Sequence, residues 1–418
     1  MRVSMSKQSS AVGFVVTVAG FACATLAITL IAGCSDGGSA KMDAALPTDD
    51  FDRRAMLTHL ATNVLLPMQL DAAAAIAQVP DAIGAYCDAL DANASDSAPA
   101  ITARDAARGT FVAAIDTWEV TESVLVGPAA MDNETLRGLI YSWPLVSPCE
   151  LDKDTASRWA NPSSYDVATE LVNARSLSAI EFLLYPPSSD HNCGSTPAGW
   201  AALGADLPRA RCRLAHAIAV DVAAHAQELA TAWKADGGNY VGELANAGAQ
   251  GSSIASAHAG VNLVSDGLLV YIDQMVKSMK LAETTGIGIN ACQLVEEPCV
   301  REVELRYADR GTQAIRNNLV GARAVFTGTT ATTDGPGFDD FLIALGHRDV
   351  ADRMTASLDA AIASANALPE SFLSALSTSY AQVVAAHTAT KVFTDDLKSQ
   401  FLTLLALEIP DDVATDND

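Results

Sequence analysis

Apolar residues recur at intervals of three and four along most of the chain, the spacing of amphipathic helices, and alternating β-branched runs are scarce. Met56, Leu57, Leu60 and Val64 start a first helix, with Asp50 or Asp52 as its N-cap and Pro67 as a kink. Phe111, Ile115, Trp118, Glu122 and Leu125 form one stripe of a second, stopped by Gly127 and Pro128. Leu177, Ile180, Leu183 and Leu184 mark a third, ended by Pro186 and Pro187, and Leu214, Ile218, Val222, His225, Leu229 and Trp233 trace a fourth. A Gly/Ser/Ala-rich stretch, 248–260, interrupts the pattern. Helices are expected again over 268–279, 305–326, 338–345, 350–367 and 372–407, the last with breaks. Residues 312–328 echo 110–127, which hints at duplication. The expected fold is all-α, with one helical-bundle domain over 51–247, a linker over 248–260, a second bundle over 261–408 and an acidic tail over 409–418.

The N-terminus follows another pattern. Arg2 and Lys7 precede an apolar run, 12–31, that ends at Gly33 and Cys34 and is followed by Ser35, Asp36 and two glycines. A small residue before a cysteine at the end of such a run resembles a bacterial lipobox. The expectation is a signal peptide over 1–33, a lipidated Cys34 and a flexible tether over 34–50. Asp36 is not directly after the cysteine, which by analogy with enteric sorting favours the outer membrane, facing the periplasm. The lipid membrane, reached through Cys34, is then the first expected partner.

Composition narrows the remainder. Half of the 418 residues are apolar and 18% are charged, which excludes a disordered chain. The net charge of −24 becomes −26 once Arg2 and Lys7 leave with the signal, so no nucleic acid is expected as a partner. Six cysteines remain after Cys23 is cleaved away and Cys34 acylated, and export favours disulfides. Local spacing suggests Cys292–Cys299 and Cys193–Cys212, leaving Cys87–Cys149.

Two carboxylates stand out because they lie on or beside apolar stripes: Glu122, next to Trp118, and Glu181. A buried carboxylate must be paired, hydrogen-bonded or metal-bound, and inward-facing carboxylates are how helical bundles assemble metal sites. Arg175 is a candidate to orient one of them. His225 and Glu228, at H-x-x-E spacing, share a helix face and form a weaker candidate ligand pair, with Trp118 a weaker contact. No G-x-S-x-G, H-E-x-x-H, P-loop or dinucleotide fingerprint is present.

Residues 173–185 (NARSLSAIEFLLY), 117–128 (TWEVTESVLVGP), 141–144 (YSWP) and 305–309 (LRYAD) resemble the imelysin family of bacterial exported proteins and lipoproteins. The resemblance implies two helical bundles, with a site between them and a link to iron uptake. The family hallmark is G-x-H-x-x-E; Glu181 matches its glutamate, while Ser176 and Ser178 stand at the glycine and histidine positions. Serine is a poor transition-metal ligand beside imidazole, so metallopeptidase activity is the lesser expectation. The leading one is a non-enzymatic lipoprotein that binds iron, another divalent metal or another ligand in the cleft between its bundles, with Glu181, Glu122 and Ser178 as ligands or ligand contacts and Arg175 orienting, as a component of metal uptake or transport. A polysaccharide- or partner-binding module that has lost the metal site is the third.

Overall fold

The structure is a computed structural model that describes residues 49–287 and 298–410. The expected signal peptide, Cys34, most of the tether, Cys292 and most of the acidic tail lie outside the described residues.

Within them the chain is helical, with no strand among the described residues. The first helix α1 (Arg53–His59) is capped by Asp52, whose carboxylate accepts the Ala55 N–H at 2.9 Å. Before Pro67 the helix widens into a π segment, Leu60–Leu65, and continues as α2 (Leu66–Ile76). A proline cannot donate to the carbonyl one turn back, and wider winding absorbs that loss. There follow α3 (Val79–Ala92), α4 (Ala98–Glu122), α5 (Thr135–Ile140), α6 (Pro148–Ala160), α7 (Leu177–Leu184), α8 (Trp200–Leu203), α9 (Leu207–Trp233) and α10 (Tyr240–Ala245). After a loop come α11 (Ala257–Val270) and, running straight on from it, a π-helix over Tyr271–Glu283. The chain closes with α12 (Gly311–Thr327), α13 (Phe338–Ala344), α14 (Arg348–Asn366), α15 (Phe372–Thr378), α16 (Tyr380–Asp396), a π segment (Leu397–Phe401) and α17 (Leu402–Leu405).

The contacts close two rings of four. In one, α2 and α3 each pack against both α4 and α9; in the other, α12, α14, α16 and the 271–283 π-helix pack in sequence around their own core. Helices α4 and α12 form the seam. Gly321 of α12 makes that approach possible, since a Cβ there would meet Ser123 Oγ and the Val120 carbonyl at 2.3 Å each. Buried apolar residues from Met56 to Leu407 join in one continuous core, so both rings share an interior.

Several sequence expectations change. Helix α11 begins at Ala257, where Ser256 caps the Ala259 N–H, so the end of the expected linker is already helix. The helix expected from 305 begins at Gly311 instead. Residues 303–310 form a turn in which Leu305 and Asp309 take positive φ. The pairings Cys193–Cys212 and Cys87–Cys149 are wrong. The bonds are Cys87–Cys212, joining α3 to α9 across a Cα separation of 5.6 Å, and Cys149–Cys193, tying the start of α6 to the loop after α7 at 4.7 Å. Spacing along the chain misled because α3 and α9 lie side by side while far apart in sequence. Cys299 is disulfide-bonded; its expected partner Cys292 is among the residues not described.

Candidate functional site

Where the two rings meet, four charged side chains converge in a space closed to solvent. Glu119 and Glu122 come from the last turn of α4, where they share the buried face with Phe111, Ala114, Ile115 and Trp118. Glu304 comes from the turn before α12, and Lys280 from the π-helix. One oxygen of each carboxylate lies within 4.8 Å of the other two. The Lys280 ammonium sits among them, 2.8 Å from Glu119 Oε2, 2.7 Å from Glu304 Oε2 and 3.9 Å from Glu122 Oε1.

Neutral donors and one further cation complete the centre. Trp118 Nε1 donates to Glu122 Oε2 at 2.7 Å, Tyr271 donates to Glu122 Oε1, and Tyr141 donates to Glu304 Oε1 at 2.9 Å. Asn318 accepts from Lys280 at 2.7 Å and donates to Glu119 Oε2 at 3.0 Å. Arg137 Nε stands 3.4 Å from Glu122 Oε2. Glu119 Oε1 is buried without a hydrogen bond.

The π winding explains one contact. Tyr271 and Lys280 are nine residues apart, about two and a half turns of α-helix, which would set them on opposite faces. In the wider i→i+5 winding they return to the same face, and Lys280 Nζ reaches the Tyr271 hydroxyl at 3.3 Å.

Burial, together with Glu304 and Glu122, pushes the Glu119 carboxyl well above its ordinary range, while Lys280 only partly offsets this. Burial also raises Glu304, against the pull of Lys280. For Lys280 burial works toward neutrality, but Glu119, Glu304 and Glu122 outweigh it and hold the ammonium charged. Tyr141 and Tyr271 are pushed up by burial and the same carboxylates, and stay protonated. Three carboxylates against Lys280 and Arg137 leave one negative charge in excess, and Glu119 and Glu304, both raised, are the groups disposed to take up a balancing proton.

The sequence-predicted residues divide. Glu122 and Trp118 belong to the centre. Glu181 lies apart from that cluster: its Oε1 accepts the backbone N–H groups of Tyr307 and Ala308 at 2.8 and 2.9 Å. It thereby pins the turn that carries Glu304. Burial raises its carboxyl to about 7, with the two N–H groups pulling the other way. Ser178 Oγ is buried and makes no hydrogen bond. Arg175 orients neither glutamate. It forks onto Asp221 at 2.8–3.0 Å, donates to the Ala168 carbonyl and meets His225 Nε2 at 3.1 Å. His225 and Glu228 do face each other, at 3.2 Å, but Glu228 is exposed and the pair belongs to the Asp221 cluster on α9.

Glu119, Glu304, Lys280, Tyr141, Tyr271, Arg137 and Asn318 were missed. Only Glu119 left a clear signal, four residues after Ile115 on the stripe already identified.

As a donor set, three carboxylates, two phenols and an amide oxygen are hard ligands of the kind that suit iron, calcium or magnesium. The family motif position does not make a comparable set, since Ser178 replaces its histidine and Glu181 is engaged by backbone.

This fold and this family signature coincide: the imelysin family model matches residues 66–398, and the chain belongs to the imelysin family. Two solved structures share the fold. An imelysin-like protein from Psychrobacter arcticum 273-4 is 17% identical, with 87% of this chain and 99% of that one covered at a TM-score of 0.62. A protein from Parabacteroides distasonis ATCC 8503, carrying the provisional designation iron-regulated protein A precursor, is 16% identical, with 86% and 97% covered at a TM-score of 0.63. No curated protein matches the chain.

Proposed function

We propose that the chain is an exported envelope lipoprotein, anchored through Cys34 in the outer membrane, that binds a metal cation at Glu119, Glu122 and Glu304 for uptake and catalyses no reaction. Iron is the first candidate. The observation that carries this reading is the Lys280 ammonium held among three buried carboxylates, because it marks a place whose electrostatics select a cation. The hard oxygen donors around it suit ferric or ferrous iron better than a soft metal. A fold relative designated as iron-regulated points the same way, and the disulfides fit an oxidising compartment. Against peptide hydrolysis stand Ser178 at the motif's histidine position and Glu181 Oε1, which is engaged by two backbone N–H groups.

A second reading is favoured by one observation: Lys280, Arg137 and a single proton suffice to balance the three carboxylates of the centre. In that reading Lys280 is the permanent cation, and the protein binds a partner or glycan elsewhere. Calorimetric titration of residues 35–418 with ferrous, ferric and zinc ions, against a Glu304→Gln control, separates the two. Micromolar binding that the control loses supports the metal reading. A folded protein without metal affinity, but with a thermal shift on envelope glycans, supports the other.

A further inference from the structure

The disulfides Cys87–Cys212 and Cys149–Cys193 lie in different surroundings. Cys87 and Cys212 are sealed between α3 and α9, 1% and 2% exposed. Cys149 and Cys193 are both partly exposed, and both line one open surface groove of about 800 Å³. Apart from Lys153 and Pro197, the rest of its wall is made of small side chains, from Ser157 and from residues 194–196 and 198. No bulky side chain there bars a peptide segment that carries a thiol.

The two sulfurs are chemically unequal. Cys149 lies in the first turn of α6, and Ser147 at the N-cap makes no side-chain hydrogen bond to the N–H groups there. Those groups and the positive end of the helix stabilise a thiolate. Lys153 stands one turn further along the same face, and its 2.7 Å pairing with Glu150 offsets the acid next to Cys149. Cys193 sits in a loop. In exchange, the sulfur that makes the more stable thiolate leaves faster, so attack falls on Cys193.

The loop around Cys193 has an anchor on each side. Asp152, buried on α6, accepts the backbone and side-chain N–H groups of Asn192 at 2.6 and 2.9 Å. Trp200 packs with Ala156 and Leu203 in a small apolar cluster. Between these anchors the disulfide is the covalent tie of the tip, 193–199, so breaking it releases the tip and leaves the rest of the fold in place.

We propose that Cys149–Cys193 is a thiol-exchange site for a dithiol protein, which attacks Cys193, expels Cys149 and frees the 193–199 tip. A thiolate of the partner bonds to Cys193 Sγ as the S–S bond breaks, and the electron pair leaves on Cys149. The partner's second thiol then attacks its own sulfur in the mixed disulfide, closes the partner's disulfide and releases Cys193. Two electrons pass from the partner to this chain, and two protons follow through solvent to Cys149 and Cys193. The site needs no metal and stands or falls apart from the metal reading.

The test treats the folded mature chain, without denaturant, with reduced thioredoxin as the dithiol protein and separately with glutathione. Free thiols are trapped at intervals with N-ethylmaleimide and located by peptide mass spectrometry. Thioredoxin should reduce Cys149–Cys193 about tenfold or more faster than Cys87–Cys212. The glutathione adduct should sit on Cys193, with Cys149 free and alkylated. Proteinase K should cut within 193–199 in the reduced chain and spare it in the oxidised one, with the helical circular dichroism unchanged. No reduction of Cys149–Cys193, equal or reversed rates, the adduct mainly on Cys149, or a tip that resists the protease after reduction would each overturn the proposal.

Discussion

Lys280 Nζ lies 2.8 Å from Glu119 Oε2, and neither side chain has more than 1% of its surface open to solvent. A buried pair of this kind contributes little by itself, but removing one partner leaves the other charge stranded, at a cost of about 3–5 kcal/mol. Glu304 and Glu122 share the same ammonium, so Lys280 is the one cation common to the three carboxylates, while Arg137 reaches Glu122 alone.

Lys280→Met is therefore expected to lower the melting temperature on the order of 10 °C in metal-free buffer. Added ferric or divalent ion should restore much of the loss, since a free cation then fills the place of the ammonium. Differential scanning fluorimetry with and without metal checks it. A variant as stable as the wild type in chelator would show that the carboxylates do not need the lysine.

Glu181 ties stability to pH. Its carboxyl titrates near 7 in the folded chain and near its ordinary 4.5 when unfolded. Between these values the folded state keeps a proton that the unfolded state has released, so stability falls as pH rises through the window and levels off above about 7. Asp154 and Asp266, also raised to about 7 by burial, act in the same direction. Glu181→Gln keeps an oxygen for the Tyr307 and Ala308 N–H groups and has no proton to lose. It should match the wild type near pH 4.5 and exceed it at pH 8, with metal affinity unchanged. Melting curves across pH 4.5–8 decide this, and an identical slope in both proteins would sink it.

The disulfides should differ in weight. Cys87–Cys212 closes 125 residues and Cys149–Cys193 closes 44. Chain entropy then assigns about 5 and about 4 kcal/mol. Paired Cys→Ser variants, compared by urea denaturation, should rank in that order, and the reverse order would contradict the loop argument.

The α4–α12 seam has its own test. Gly321→Ala places a Cβ against the Val120 carbonyl as well as Ser123 Oγ. Overpacking of this type costs about 1–3 kcal/mol. Adding Ser123→Ala should not rescue it, because the carbonyl remains. Full rescue in the double variant would locate the crowding in the serine alone.

What the sequence made legible follows the range of the interactions. The stripes through Phe111 and Trp118 and through Leu214 and Trp233 are local, and both became core faces of long helices. The Asp52 cap is equally local, whereas α4 ends at Glu122, before the Gly127 expected to stop it and with Leu125 outside the helix. Gly127 has φ +67° and is crowded by the Tyr240 ring, which a side chain would strike. Glu122 was visible because a charge on an apolar stripe demands a partner. Its partners were not visible. Lys280 reaches the centre only through π winding, Glu304 sits in a turn just before the helix expected from 305, and Tyr141 and Asn318 arrive from other parts of the chain. Arg175 misled for the same reason, since nothing local announces that Asp221, 46 residues on in α9, takes its guanidinium. The disulfides failed likewise, because facing positions on α3 and α9 are a property of packing.

The central claim is that the acidic centre takes a metal cation. The most direct measurement is a calorimetric titration of ferric ion, supplied as a soluble weak chelate, into the mature chain and into a Glu119→Gln, Glu304→Gln double variant, with circular dichroism confirming that both are folded. The account predicts one site of micromolar or tighter affinity in the wild type, weakened by about a hundredfold or more when two of the three carboxylates lose their charge. Equal affinity in both proteins, or no binding by a folded wild type, would contradict it and leave Lys280 and Arg137 as the cations that serve the centre.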